Sequence, residues 1–139
     1  MDQDDAIRWI LRHCRTVAVV GLSPKPHRDS YRVARYLQAQ GWRILPVNPV
    51  AAGQTILGEP VHASLSEAAR HAPVELVNCF RNSADIPPVV DEAIAIGAPA
   101  LWLQLGVEHE AAAARARAAG LRVVQNRCLM VDHANCPHP

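Results

Sequence analysis

Ser23, Lys25, Arg28 and Ser30 fall within eight residues of one another, just after Gly21, in the stretch GLSPKPHRDS. Two hydroxyls, an ammonium and a guanidinium at that density make donors for an anion. The stretch follows the apolar run TVAVV and leads into a helical pattern that begins near Ser30. A helix N-terminus adds free backbone N–H groups and a partial positive charge, so phosphate is the chemistry to expect there. Gly21 lets the chain turn sharply. An ordinary strand-to-helix connection uses the same Gly and Pro punctuation, so the loop alone leaves both readings open.

Two familiar phosphate sites do not fit. A P-loop requires GxxxxGK[ST], which does not occur. A dinucleotide fingerprint requires GxGxxG and an acidic residue after the second strand to hold the adenosine ribose. This loop has a single Gly, and the second strand ends PVNPV with no carboxylate. Asn48 can bond a sugar hydroxyl or a base edge, but NAD is a poor match.

Other groups recur at expected strand ends. CFRNS (79–83) places Phe80 and Arg81 where an adenine face or a phosphate would lie, or else in the core and in solvent. QLGV (104–107) brings Gln104 and a backbone freed by Gly106. Cys128 follows Arg127, and a nearby positive charge lowers a thiol pKa. Cys79 sits at another strand end. There is no nucleophile elbow and no carboxylate pair at a strand end, so a catalytic set is not evident. The tail holds His133, Cys136 and His138, whose spacing fits no zinc pattern. The remaining histidines read as solvated helix residues.

The elements that must position these groups alternate. Residues 3–14 form an amphipathic leading helix, with Ile7, Ile10 and Leu11 on one face. Apolar runs at 16–21, 42–48, 74–80, 99–106 and 120–126 read as buried strands. Helical patterns occupy 30–41, 64–71, 83–97 and 107–119, with Ser30 as an N-cap and Gly41 as a C-terminal stop. The segment 50–65 is irregular, and 127–139 reads as a tail, mobile from 133 onward. This is an α/β pattern: one domain over 1–139, a doubly wound, parallel five-stranded sheet with helices on both faces. Ligands in such sheets bind beyond the carboxyl ends of the strands.

Composition narrows the function classes. The 139 residues carry 14 basic and 13 acidic side chains, net +1, without a basic block, which argues against nucleic-acid binding. Lys25 is the only lysine. No apolar run approaches the ~20 residues of a membrane span, and the acidic N-terminus is unlike a signal peptide. A cytoplasmic protein is expected. The four cysteines are widely spaced, unlike a disulfide framework.

VAVVGLSPKPHRDSYRVARYL, GWRILPVNP, ILGEPVHASL, VELVNCFRNSADIPPVVDEAIAIGA, LWLQLGV and AAGLRVVQNRCLMVD together resemble the small stand-alone CoA-binding proteins, relatives of the nucleotide-binding domain of the succinyl-CoA synthetase α subunit. The resemblance spans residues 16–132. It implies a Rossmann-like sheet of order 3-2-1-4-5, with coenzyme A lying across the carboxyl ends. The phosphate loop of the family falls on Gly21, Leu22, Ser23, Pro24 and Lys25, and its helix start on Ser30 and Tyr31. The adenosine region falls on Val47, Asn48 and Pro49. Further family positions fall on Phe80, Arg81, Asn82, Gln104 and Gly106, and the terminal RC motif on Arg127 and Cys128. Where the family commonly has an acidic residue before RC and a Lys after it, this chain has Asn126 and Met130.

The leading expectation is therefore a module that binds CoA or acyl-CoA without chemistry of its own. One alternative is a CoA-dependent thiol protein forming a mixed disulfide through Cys128 or Cys79. The other is an NAD(P)-binding sensor or enzyme. A small-molecule ligand is expected, with neither nucleic acid nor membrane as partner and no metal.

Overall fold

In the computed structural model, which describes residues 2–136, the five apolar runs become five parallel strands. They are β1 (Thr16–Val20), β2 (Arg43–Val47), β5 (Leu76–Cys79), β6 (Ala100–Leu103) and β7 (Arg122–Val124). The irregular segment contributes a small antiparallel hairpin, β3 (Thr55–Ile56) and β4 (Glu59–Pro60). Six helices complete the described chain: α1 (Gln3–His13), α2 (Asp29–Ala39), α3 (Leu65–His71), α4 (Ile86–Ala95), α5 (Glu110–Ala118) and α6 (Leu129–Asn135).

The sheet is Rossmann-like, with strand order β2-β1-β5-β6-β7. Counting only its own five strands, that is 2-1-3-4-5, so the expected order 3-2-1-4-5 is corrected. The third apolar run, β5, is fully buried along its length, which an interior strand between β1 and β6 satisfies and an edge strand does not. The outer edge of β2 is instead lined by the end of the irregular segment. His62 bridges Val47 there: its N–H donates to Pro46 O and its carbonyl accepts from Asn48 N, both at 2.9 Å.

Chain direction across the sheet explains where the helices go. The step from β1 to β2 runs opposite to the later steps, and a right-handed crossover then puts α2 on the face opposite to α3, α4 and α5. One face buries Ile10 of α1, Val33 and Leu37 of α2 and Leu129 of α6 against Val17, Val19 and Trp102. The other buries Leu65, Ile86, Val90 and the Ala112–Ala116 stripe against Ala18, Val77 and Leu101. Pro87 and Pro88 stand in the first turn of α4, where their missing N–H groups cost nothing.

Three local expectations change. The N-cap of α2 is Arg28, not Ser30, which lies inside the first turn. Residues 129–135, read as part of a tail, are helical because Leu129, Asp132 and His133 share one buried face. Two histidines are buried, not solvated: His62 beside β2, and His133, whose Nδ1 lies 2.8 Å from the Tyr36 hydroxyl. Residues 137–139, including His138, lie outside the described residues. None of the described helices is long and apolar enough to cross a membrane.

Candidate functional site

The direction of strand order reverses between β1 and β5, and there the two chain exits splay apart and leave a crevice. Gly21 leaves β1 at this point with φ +84°. Its N–H donates to Val47 O at 2.8 Å, while Phe80 N donates to Val20 O at 2.9 Å. A Cβ at position 21 would come within 2.8 Å of Phe80 O, a backbone atom. Glycine is required twice here, for the backbone angle and for the close approach of the β5 exit.

Beyond Gly21 the loop is tied to itself. Ser30 Oγ accepts from Ser23 N at 3.0 Å, and Ser23 Oγ accepts from Lys25 N at 3.1 Å. Each hydroxyl keeps its own proton for donation outward. No side chain caps the start of α2. Its first N–H groups therefore face the loop without the partner that an N-cap side chain would supply. Gly21, Ser23, Arg28, Asp29, Ser30 and Phe80 surround a hollow of about 410 Å³. The Asp29 carboxylate is paired with Arg32, which limits its repulsion of an anion. Pro24 and Lys25 are exposed at the loop tip and outside this lining.

A second hollow of about 420 Å³ shares Asp29 and Phe80 with the first and continues toward α6. Arg81, Gln104, Cys128 and Met130 are among its walls. A third of about 280 Å³ lies across the switch point, between Val47 and Pro49 on one side and Arg81 and Asp85 on the other. Arg81 belongs to both, and its guanidinium is 3.9 Å from Asp85. Asn82, exposed, starts the short turn Ser83–Asp85 without using its side chain.

Several expected site residues turn out to hold the loops rather than face the crevice. Leu22 is fully buried, so only its backbone belongs to the loop. Asn48 donates through Nδ2 to Leu22 O and accepts at Oδ1 from Val50 N, both at 3.0 Å, tying the β2 exit to the phosphate loop. The Gly106 N–H, expected to face a ligand, donates instead to Asn126 Oδ1 at 2.7 Å. Tyr31 packs against the α1–α2 core and is not among the residues around the hollows.

Gln104 is nearly buried, and its side-chain carbonyl accepts from Leu129 N at 3.0 Å. The Arg127 guanidinium grips Asp132 with two hydrogen bonds, of 2.5 and 3.2 Å. Asp132 thereby pushes the Arg127 pKa up, and the charge expected to act on Cys128 is engaged elsewhere. Cys128 is half-buried on the wall of the second hollow. Cys79 is different: it is fully buried, and burial pushes its thiol up to about 12. It lines none of the three hollows, so of the two thiols considered for a mixed disulfide only Cys128 borders the crevice.

The sequence reading missed the α6 wall, with Met130 and Val131, and the apolar Leu105 and Val107 beside Gln104. The buried spacing of Leu129, Asp132 and His133 was the available signal for α6. A larger hollow of about 540 Å³ lies along β7, lined by Asp2, Gln3, Arg117 and Arg122 among others. Its Gln3 bonds the backbone of Gln125 in the loop after β7, but none of its lining residues borders the switch point, so size alone does not make it the better candidate.

Known proteins with this arrangement exist. YneT, an uncharacterized protein of Bacillus subtilis, is 37% identical over 128 residues, covering 92% of each chain. A solved structure from Thermus thermophilus superposes with a TM-score of 0.88 at 36% identity, covering 96% of this chain and 98% of that one. A hypothetical protein of Pyrococcus horikoshii gives 0.84 at 34% identity, with coverage of 96% and 91%. The family described as "CoA binding domain" matches residues 15–134, and with nearly the whole described fold inside that match, the chain belongs to the CoA binding domain family.

Proposed function

We propose that the chain holds coenzyme A across the carboxyl ends of β1, β2, β5 and β6, as a binding module with no chemistry of its own. The observation that carries this reading is the hollow between the uncapped start of α2 and the Gly21 loop, at the switch point of the sheet. The phosphates sit there on backbone N–H groups with Ser23, Ser30 and Arg28, and Lys25 reaches in from the loop tip. Adenosine lies toward Val47, Asn48 and Pro49, beside Phe80, Arg81 and Asn82. The pantetheine arm follows the second hollow past Gln104 to Cys128.

Family membership supports CoA as the ligand class. The non-catalytic reading is supported by the lining itself: Asp29 and Asp85 are each matched with an arginine, Glu92 accepts from the Ser66 N–H and hydroxyl, and no histidine is among the residues around the three hollows. Isothermal titration with CoA and with NAD tests the proposal. Saturable CoA binding that NAD does not displace is expected. Absence of CoA binding at millimolar ligand would overturn it.

The half-exposed position of Cys128 favours one second reading. In it, the Cys128 thiolate attacks the disulfide of a CoA mixed disulfide, forming a Cys128–CoA bond and releasing the other thiol. Intact mass after incubation with CoA disulfide should then show a CoA-sized adduct, lost on reduction and lost in Cys128→Ser. No adduct under those conditions removes this reading.

A further inference from the structure

Two observations in the second hollow are left over once CoA itself is placed. The first concerns apolar surface. Among the described residues only three large hydrophobic side chains are exposed: Val50, Leu105 at 69% and Val131 at 49%. Isolated exposed hydrophobes are ordinary, but two of these three line the same hollow from different elements, the β6 exit and α6. Val107 and Met130 extend that surface inward. Pantetheine is largely polar and gains little from such a wall.

The second concerns a donor. Gln104 is 5% exposed, and its carbonyl is committed to Leu129 N. Its Nε2 amide makes no hydrogen bond among the described residues, and it is not sealed from solvent as the orphaned Asn78 amide is, so it is open to the hollow its side chain lines. An amide donor left open at the wall of a hollow is available to an acceptor on the ligand. A thioester carbonyl is such an acceptor, and an aliphatic chain is what the adjoining wall would cover.

We propose that the protein binds CoA preferentially as the thioester of an aliphatic acyl group, whose chain lies on Leu105, Val107, Met130 and Val131 while Gln104 donates to the thioester carbonyl. This rests on the CoA reading above and deepens it. The cationic groups lining the hollow, Arg32 and Arg81, are paired away from the acyl wall, with Asp29 on the phosphate side and with Asp85 of the third hollow, which leaves the wall without a free cation for a second carboxylate. A neutral acyl chain is favoured over a dicarboxylic one.

The test is a titration series with CoA, acetyl-CoA, butanoyl-CoA, hexanoyl-CoA and succinyl-CoA. Full burial of a methylene is worth about fourfold in affinity; this wall is open on one side, so about tenfold is expected from acetyl to hexanoyl. Leu105→Ser combined with Val131→Ser should flatten that rise; both side chains are exposed, and an unchanged melting temperature verifies the fold. Alkylation of Cys128, mapped by mass spectrometry, should slow with hexanoyl-CoA more than with CoA. If CoA binds but affinity is flat or falls with chain length, or if succinyl-CoA binds tightest, the acyl proposal is overturned. If CoA itself does not bind, the underlying ligand reading has failed instead.

Discussion

Replacing Gly21 by alanine, with Gly106→Ala as its control, separates two contributions that the switch-point crevice combines. Both glycines have nearly the same backbone angle, φ +84° and +85°. Alanine at either position carries a positive-φ cost of about 1–2 kcal/mol. Their surroundings differ. A Cβ at 106 meets nothing within 4 Å, whereas at 21 it comes within 2.8 Å of Phe80 O and 3.2 Å of Arg81 Cδ. The arginine stem can move, but the carbonyl belongs to the β5 exit, so relief requires shifting that strand end. Overpacking of this kind adds about 1–3 kcal/mol. Gly106→Ala should therefore lose about 1–2 kcal/mol in urea unfolding, and Gly21→Ala about 2–5 kcal/mol. Because Phe80 and Arg81 border the crevice, Gly21→Ala should also weaken CoA binding at temperatures where it is fully folded. Equal destabilisation by the two substitutions, with CoA affinity unchanged in Gly21→Ala, would refute the argument.

Further outcomes follow from individual groups. Burial holds the Cys14 and Cys79 thiols at about 12 in the folded state, above their unfolded value near 9.0. The folded protein thus keeps protons that the unfolded chain releases, and stability should fall between pH 9 and 12 by up to about 1.4 kcal/mol per pH unit per thiol. Alkaline unfolding curves should flatten in Cys79→Ala relative to its own neutral stability, and an unchanged slope would count against the assignment. Asn78 is fully buried in the central strand β5, and neither end of its side-chain amide has a hydrogen-bond partner among the described residues. Asn78→Leu should stabilise the fold by about 1 kcal/mol; a lower melting temperature would show that the amide is satisfied by a water or ligand. Lys25 is exposed and forms no ion pair among the described residues, so Lys25→Ala should weaken CoA binding about tenfold and leave stability unaltered. Unchanged affinity would mean that the backbone amides suffice.

The strands were legible because each is short, apolar and bounded by Gly or Pro, and burial on both faces leaves little ambiguity in such a run. Strand order was not, because residues 59–62 carry no strand periodicity and still line the outer edge of β2. The phosphate loop could be read from the density of donors after Gly21. The division of labour among its neighbours could not. Asn48, Gln104 and Asn126 are side-chain amides at strand ends in the sequence, and only packing shows that each spends hydrogen bonds holding one loop to another. Ser30 illustrates the same limit: a serine near a helix start reads as an N-cap, yet its hydroxyl accepts from Ser23 N. The difference between Cys79 and Cys128 is likewise invisible in sequence, since both read as strand-end residues and only burial distinguishes them.

The central claim is that coenzyme A occupies the carboxyl ends of the strands at the β1–β5 switch point. Backbone amide shifts in a two-dimensional NMR titration with CoA test it most directly. The account predicts saturable changes at Gly21, Ser23, Ser30, Phe80, Arg81 and Gln104, with Gln3, Gly120 and Arg122 unmoved. Changes concentrated at Gln3, Gly120 and Arg122, in the larger hollow along β7, would contradict it.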